Sequence, residues 1–509
     1  MANYRQIFKS TGLLGSVQVL YVLIAVLRNK IAAQFIGPAG IGLADLYGRT
    51  IDLMGSATNF GLGLSAVRCL SEVFDTENEN AETRHAQNAT APESPHPPAA
   101  AGLSPIAFPQ STHQVRIIRT WVLLSAILGV IVTLCLSPLI SRAATGSADY
   151  TLSFCLLAPM VGFTTLMGGE MAILKATRRL KRLAFASACG AVATLAVSAP
   201  LYILCGMRGI VPTLLITSAA MFAFNLRESK RIFPYRIGPL QKGFIKKGLP
   251  LVKLGTAYIL AGMITSGAEM LIRAGLMRSP LGYAEIGFYT AGFTLTVSYA
   301  RIIFVAMDAD YYPRLATVVA DRRAMNLNIN RQINTLIVLM APFLLLFCTF
   351  LPLIIRLLYT AKFLVITPMV LCAAPCMFFK AVYTPIAYIP LARGDSFVYM
   401  TMELIYDMVL CLSVIGGYQL YGLTGAGMGL AAAHLFDFVM VHLVYARRYG
   451  YRMNRTTSLR VVALLTLLMA GLYAVSLTDP AHRSIGIACT LALMLPAVWP
   501  VLKRIRRKG

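Results

Sequence analysis

The residues of this chain that could do chemistry stand where charge is costly, inside long apolar stretches. Arg28 and Lys30 lie near the end of the first. Asp45, Arg49 and Asp52 follow in the second, at spacings of four and three that put all three on one helical face. Further along come Lys253, then Glu269 and Arg273 one turn apart, Arg301 with Asp308 and Asp310, and Glu403 with Asp407. Glu170, Lys380, His434 and Asp437 stand singly. An ionisable group at bilayer depth marks a functional site by default, because burying it is expensive. Two chemistries fit these types. Arginine holds a phosphate or pyrophosphate bidentately and lysine adds a point charge. Carboxylates take up a proton or Na⁺, or only balance the cations. Structural readings compete: Asp45–Arg49 and Glu269–Arg273 also fit ion pairs between helices. Arg28 and Lys30 also fit side chains that snorkel to a surface. Lys380 and His434 read first as packing or interface residues.

No signature of catalysis accompanies them. The chain has no G-x-S-x-G, no phosphate-binding glycine loop and no H-E-x-x-H. Its extracytoplasmic loops are too short for a membrane polymerase or ligase acting on sugars. An enzyme is therefore not expected. The ten cysteines are scattered, and all but Cys69 fall inside apolar spans. Only Cys372 and Cys376 share a helical face, with no histidine near, so they read as small packing residues. No metal site and no bound cofactor is expected.

The elements that must hold these charges are membrane helices. Hydrophobic residues make up 57% and charged ones 13%, about half the roughly 25% of a soluble domain. Soluble enzymes, disordered scaffolds and secreted disulfide modules are excluded. Stretches of the roughly 20 apolar residues that a span needs occur near 10–33, 41–64, 117–140, 150–174, 183–205, 208–226, 250–272, 285–308, 333–355, 363–390, 398–419, 423–445, 460–477 and 484–502. The first is too long for the core of a signal peptide and no convincing cleavage site follows it, so it counts as a span. With the N-terminus inside, 33 Lys and Arg fall in cytoplasmic loops and 7 in outside loops. That bias predicts fourteen helices with both termini cytoplasmic. It also accounts for most of the net charge of +25, so nucleic acid is not an expected partner.

The chain reads as two halves. Sliding it against itself by 216 residues aligns Ala176, Tyr202, Leu204, Gly206, Gly209 and Leu214 with Ala392, Tyr418, Leu420, Gly422, Gly425 and Leu430. Both G-x-x-G pairs fall on tight outside turns. A smaller match sets Ile41-Gly42-Leu43 on Ile286-Gly287-Phe288. A parallel repeat follows: an N-lobe over 1–226, a cytoplasmic linker over 227–249 and a C-lobe over 250–446, with two more helices and a basic tail over 447–509. Residues 75–114, rich in Glu, Pro and Ala, read as a disordered cytoplasmic loop. In such a repeat the cations of helices 1, 2, 7 and 8 face one another across the axis, forming a cationic cavity suited to a phosphate headgroup.

The stretch Val26-Leu-Arg-Asn-Lys-Ile-Ala-Ala-Gln-Phe-Ile-Gly-Pro-Ala-Gly-Ile-Gly-Leu43 resembles the first-hairpin motif of bacterial polysaccharide flippases. Asn59-Phe-Gly-Leu-Gly-Leu-Ser-Ala-Val-Arg68 extends the likeness. Lys175-Ala-Thr-Arg-Arg-Leu-Lys-Arg182 and Leu201-Tyr-x-Leu-x-Gly-x-x-Gly209 extend it more weakly. The chain is thus similar to the O-antigen translocases (Wzx type) of the multidrug/oligosaccharidyl-lipid/polysaccharide (MOP) superfamily. The resemblance implies an all-α, polytopic fold of the MATE-like kind, with two six-helix lobes around a V-shaped cavity. It implies alternating access and an undecaprenyl-pyrophosphate-linked oligosaccharide as substrate, an O-antigen or similar surface unit. That substrate would cross the bacterial inner membrane, with H⁺ or Na⁺ as the coupling ion. Membrane lipid, a polysaccharide polymerase and a chain-length regulator are the implied partners. Arg28 or Lys30 matches the expected helix 1 cation, and Arg49 and Arg273 match on helices 2 and 7. With Arg301 these form the expected headgroup site, and Asp45, Asp52, Glu269 and Asp308 couple the ion or balance charge. The extra C-terminal helix pair is similar to that of the lipid II flippase branch, and the 75–114 loop has no counterpart. A cation-coupled multidrug exporter of the same superfamily is the alternative, and a membrane glycan polymerase or transferase a more distant one.

Overall fold

The computed structural model describes residues 23–88, 109–239, 248–298 and 314–506, together with Lys246, Phe304, Tyr311 and Tyr312. Among these residues the chain is helical and contains no strand. Helix α1 covers residues 23–35. Then follow α2 Gly37–Thr58, α3 Leu62–Asn88, α4 Pro109–Thr145, α5 Thr151–Ala176, α6 Leu180–Cys205, α7 Ile210–Lys230 and α8 Leu249–Met277. The later helices are α9 Tyr283–Phe293, α10 Arg322–Thr349, α11 Leu351–Leu358, α12 Thr367–Ala373, α13 Pro375–Arg393, α14 Ser396–Tyr449, α15 Arg455–Ser476 and α16 Pro480–Arg506. The chain divides into two compact units, Met1–Met270 and Leu271–Gly509, with the division inside α8.

Among the described residues, six runs are long and apolar enough to cross a membrane, and the bent pair α12–α13 passes as a seventh. The chain is a multi-pass membrane protein. Two of the runs, Lys181–Lys230 and Phe397–Tyr449, contain 50 and 53 residues. At 1.5 Å per residue each would reach about 75 Å if straight, against a hydrocarbon core of about 30 Å. Each instead turns back at a glycine. Gly206 has φ 54 and ψ −130, and Gly422 has φ 57 and ψ −143, a conformation that side-chain-bearing residues avoid. Three residues on, a Cβ on Gly209 would strike the Leu201 carbonyl, and one on Gly425 the Gly417 carbonyl. The two G-x-x-G turns expected from the sequence thus share both backbone angles and a close approach eight residues back.

The expected helix 41–64 is broken. α2 ends at Thr58, Phe60 and Gly61 both adopt positive φ, and α3 begins at Leu62. The Asn59 side chain accepts from the Gly61 amide at 2.8 Å, and Ser125 Oγ donates to the Thr58 carbonyl that the break leaves over. The expected loop 75–114 is also shorter than composition suggested. α3 runs on to Asn88 and α4 starts at Pro109, leaving 89–108 outside the described residues. The reason is a cap across the gap: the Glu77 carboxylate accepts from the Gln110 amide at 2.6 Å and from the Ser111 amide at 2.9 Å. A carboxylate on those orphan amides also meets the positive end of the α4 dipole.

In the first unit, Leu62, Ala66 and Leu70 of α3 pack on Val115 and Ile118 of α4, Ile173 of α5 and Phe233 beyond α7. In the second, α10, α13, the end of α14 and α15 enclose a larger core around Ile333, Met377, Phe378 and Tyr445.

Candidate functional site: the intramembrane charges

On α2 the three expected charges do share a face. Arg49 lies 3.5 Å from Asp45, 3.8 Å from Asp52 and 2.5 Å from Glu269 of α8. One guanidinium therefore meets three carboxylates, two on its own helix and one on another. The opposite face of α2, with Leu46, Tyr47 and Ile51, is buried, and Tyr47 meets the Phe154 ring edge-on at 5.1 Å. Arg273, four residues beyond Glu269, is 1% exposed. Its guanidinium lies 5.6 Å from the Tyr289 ring and 5.9 Å from Phe293, two rings that stack on each other. Cation–π contact of this kind suits a desolvated arginine.

Arg28 and Lys30 do not share a face of α1. Two residues apart on a helix means about 200° of rotation, so they stand on nearly opposite sides of α1. Arg28 is exposed and lies within electrostatic reach of Tyr202, while Lys30 is half-buried. Arg301 and Asp308 lie outside the described residues.

Two polar networks were given too little weight by sequence reasoning. The first joins α4, α5 and α7. Arg119 Nε and Nη2 donate to the two oxygens of Glu170, each at 2.9 Å. Nη2 also donates to Ser229 Oγ, and Nη1 donates to the carbonyls of Phe233 and Pro234. All five guanidinium N–H donors are thereby used. Tyr235 covers the guanidinium at 4.9 Å. Burial, with the Glu170 carboxylate close by, pushes its phenol above the ordinary range. Glu170 was visible as a lone charge, but Arg119, at the very start of the expected span 117–140, was counted with the cytoplasmic-loop cations, whereas α4 begins at Pro109 and holds it inside the helix.

The second network is in the second unit, where α13 supplies Lys380 and Tyr383 and α14 supplies Glu403, Tyr406, Asp407, His434 and Asp437. Tyr399 donates to Glu403 and Tyr383 to Asp437, with Lys380 within electrostatic reach of both carboxylates. His434 Nδ1 is 2.9 Å from the Leu430 carbonyl, so that nitrogen carries a proton, and Nε2 lies 3.3 Å from the Tyr406 hydroxyl. Asp407, His434 and Asp437 are buried. Glu403 and Asp437 thus share one lysine, with Asp407 within electrostatic reach of Asp437, although in the sequence these four appeared as one pair and two single residues. Among the described residues, no group of His, Cys, Asp and Glu could hold a metal ion.

A family model described as polysaccharide biosynthesis protein matches residues 109–368, just over half of the chain. The chain belongs to that family. No curated relative matches it. Among solved structures it is similar to the lipid II flippase MurJ in an inward closed conformation, with a TM-score of 0.64 and 13% identity over 97% of this chain and 99% of that one. It is also similar to an inward-facing MATE-family multidrug resistance transporter of the MOP superfamily, with a TM-score of 0.59 and 14% identity over 88% and 96%. A MOP superfamily transporter from Pyrococcus furiosus, described by the reverse polarity of its binding pocket, has a TM-score of 0.55 at 14% identity over 89% and 94%. At these identities the likeness establishes the fold, which is that of the MOP transporters.

Proposed function

We propose that the protein is a flippase that moves an undecaprenyl-pyrophosphate-linked oligosaccharide, an O-antigen or similar surface unit, across the bacterial inner membrane. One observation carries this reading: a polysaccharide-biosynthesis family match on a chain with the MOP transporter fold. Two six-helix lobes, 1–226 and 250–446, alternate access around the headgroup while the lipid tails stay in the bilayer. The polar head then never crosses hydrocarbon unaided.

The headgroup role narrows within the expected cations. Arg49 is held by three carboxylates and Arg273 is enclosed by rings, so both serve the scaffold first. Arg28, exposed, and Lys30, half-buried, carry the phosphate contacts, with Arg301 as a third. The coupling ion, H⁺ or Na⁺, is served by Glu403, Asp407 and Asp437, where buried negative charge exceeds positive; Asp308 is a further candidate. The test is complementation. In a strain lacking its own flippase, Arg28→Ala with Lys30→Ala should abolish surface glycan while the protein still reaches the membrane. Wild-type glycan levels would overturn the headgroup role.

One observation favours a second reading. The acidic, tyrosine-lined network of α13 and α14 suits a cation-coupled drug exporter, and the similar MATE-family structure is that of a multidrug resistance transporter. A deletion strain with intact glycan and heightened drug sensitivity would support the exporter instead.

A further inference from the structure

The contact between α2 and α8 is built to come apart. It runs antiparallel: Arg49 meets Glu269, Leu53 lies beside Gly267, and Ser56 meets Ser266 with Gly262 next to it. On α2 the contacting positions 49, 53 and 56 recur at spacings of four and three, as do 262, 266 and 269 on α8, with Gly267 beside them, the period of one face. Every one of these residues is half-exposed, whereas the opposite face of α2 is buried. Small residues let the helices approach closely, but they leave little apolar area to hold them together. Among the described residues, one cross-helix ion pair and one hydroxyl pair join them.

Three carboxylates on one arginine exceed what a static bridge requires. Asp45 and Asp52 sit on Arg49's own helix, so they move with it wherever α2 goes. Glu269 does not. We infer that Arg49 is a two-position switch and that Arg49–Glu269 is a reversible latch on this seam. When α8 moves away, Asp45 and Asp52 keep the guanidinium paired, so opening strands no arginine charge. That removes the arginine's share of the penalty which otherwise makes breaking a partly buried ion pair costly. On opening, the cluster loses one carboxylate, carried away on α8, and the guanidinium keeps the two on its own helix.

This inference rests on the alternating-access reading, and its test separates the two. In the full-length protein, Ser56→Cys is labelled with a water-soluble maleimide, against the unlabelled-site parent to subtract the ten native cysteines. Adding Glu269→Gln should raise Ser56→Cys labelling several-fold, because the seam then lacks its latch. Adding Asp45→Asn with Asp52→Asn should lower it below that of Ser56→Cys alone, because Arg49 then depends on Glu269 alone. Opposite effects of removing carboxylates from one arginine are the mark of a switch. Equal labelling in all three proteins, or a rise in both variants, would overturn it. The second arm is a disulfide between Ser56→Cys and Ser266→Cys, whose hydroxyls lie 3.3 Å apart in the parent. Oxidation should stop glycan export and reductant restore it, whereas full export by the cross-linked protein would sink the latch even where Glu269→Gln fails to fold. If labelling responds as expected but no glycan export is found in any protein, the latch stands and the substrate reading falls.

Discussion

Arg119 and Glu170 show how much one pair of side chains can decide. Both are almost fully buried, at 2% and 4% side-chain exposure, and every polar atom of the guanidinium is matched. A buried pair of this kind is a weak source of stability by itself, but removing one partner leaves a stranded charge. Arg119→Ala should therefore destabilise the protein by about 3–5 kcal/mol, far more than loss of the exposed Arg68–Glu72 pair, for which about 0–1 kcal/mol is usual. Arg119→Met with Glu170→Leu should recover much of that loss. Fluorescence-monitored thermal unfolding of detergent-purified protein would check the ranking; a double variant as unstable as Arg119→Ala would contradict it. The sequence made half of this pair legible. Glu170 stood out because it interrupts an apolar run, while Arg119 was hidden, since its partner is 51 positions away and no local period links them. Asp45, Arg49 and Asp52 were legible for the opposite reason, their partners being one turn apart. Glu269 was placed correctly on its helix, but its meeting with Arg49 is a tertiary fact that spacing cannot supply.

At the scale of elements, α10 carries Asn326, Asn330 and Asn334 at every fourth position, a ladder on one face. Asn326 donates to the Gly450 carbonyl and accepts from the Arg452 amide. Asn330 donates to the Arg452 carbonyl at 3.0 Å and accepts from the Asn454 amide at 2.9 Å. Asn334 donates to Thr457 Oγ1 at 2.7 Å. The ladder thus takes up the backbone groups of the extended connection between α14 and α15, groups that have no helical partners of their own. Asn330→Leu leaves two of them unmatched and should cost about 2–4 kcal/mol. It should also speed proteolysis between Tyr449 and Arg455, with Asn328→Leu, on another side of the helix, as the comparison. Equal proteolysis rates would remove the ladder's anchoring role. Its spacing is plain in the sequence, yet asparagine at every fourth position names no partner. The hairpins were the better-marked elements. Gly206 and Gly422 were legible because each turn demands a conformation only glycine adopts readily, and the offset of 216 repeats the demand. The break at Phe60–Gly61 was not legible, because apolar character continues straight across it. Charge misled the reading of 75–88, where Glu77 caps α4 and Asp75 reaches Arg178 at 2.8 Å.

For the whole molecule, the hairpins and the charge bias meet in one prediction, that both termini are cytoplasmic. Neither run of 50 or so residues can stay on one course through the membrane, so each turn must lie at the face opposite to its two ends. Those ends are basic. Lys181 and Arg182 lead into the first hairpin and Arg227, Lys230 and Arg231 leave it; Arg393 precedes the second and Arg447 and Arg448 follow it. The turns themselves carry Arg208 in one case and no cation in the other. Basic loops are retained on the cytoplasmic side, so the prediction puts both turns on the outer face and their basic ends in the cytoplasm. Alkaline phosphatase fused after Gly206 or Gly422 should be active, because it folds with its disulfides only outside the reducing cytoplasm. A fluorescent protein fused after Arg182 or Gly509 should be bright. The inverted pattern would place the basic ends outside and overturn the orientation, and with it the direction of transport proposed above. A mixed pattern, active at one turn and silent at the other, would instead break the repeat, since two hairpins 216 residues apart in equivalent halves must open to the same side.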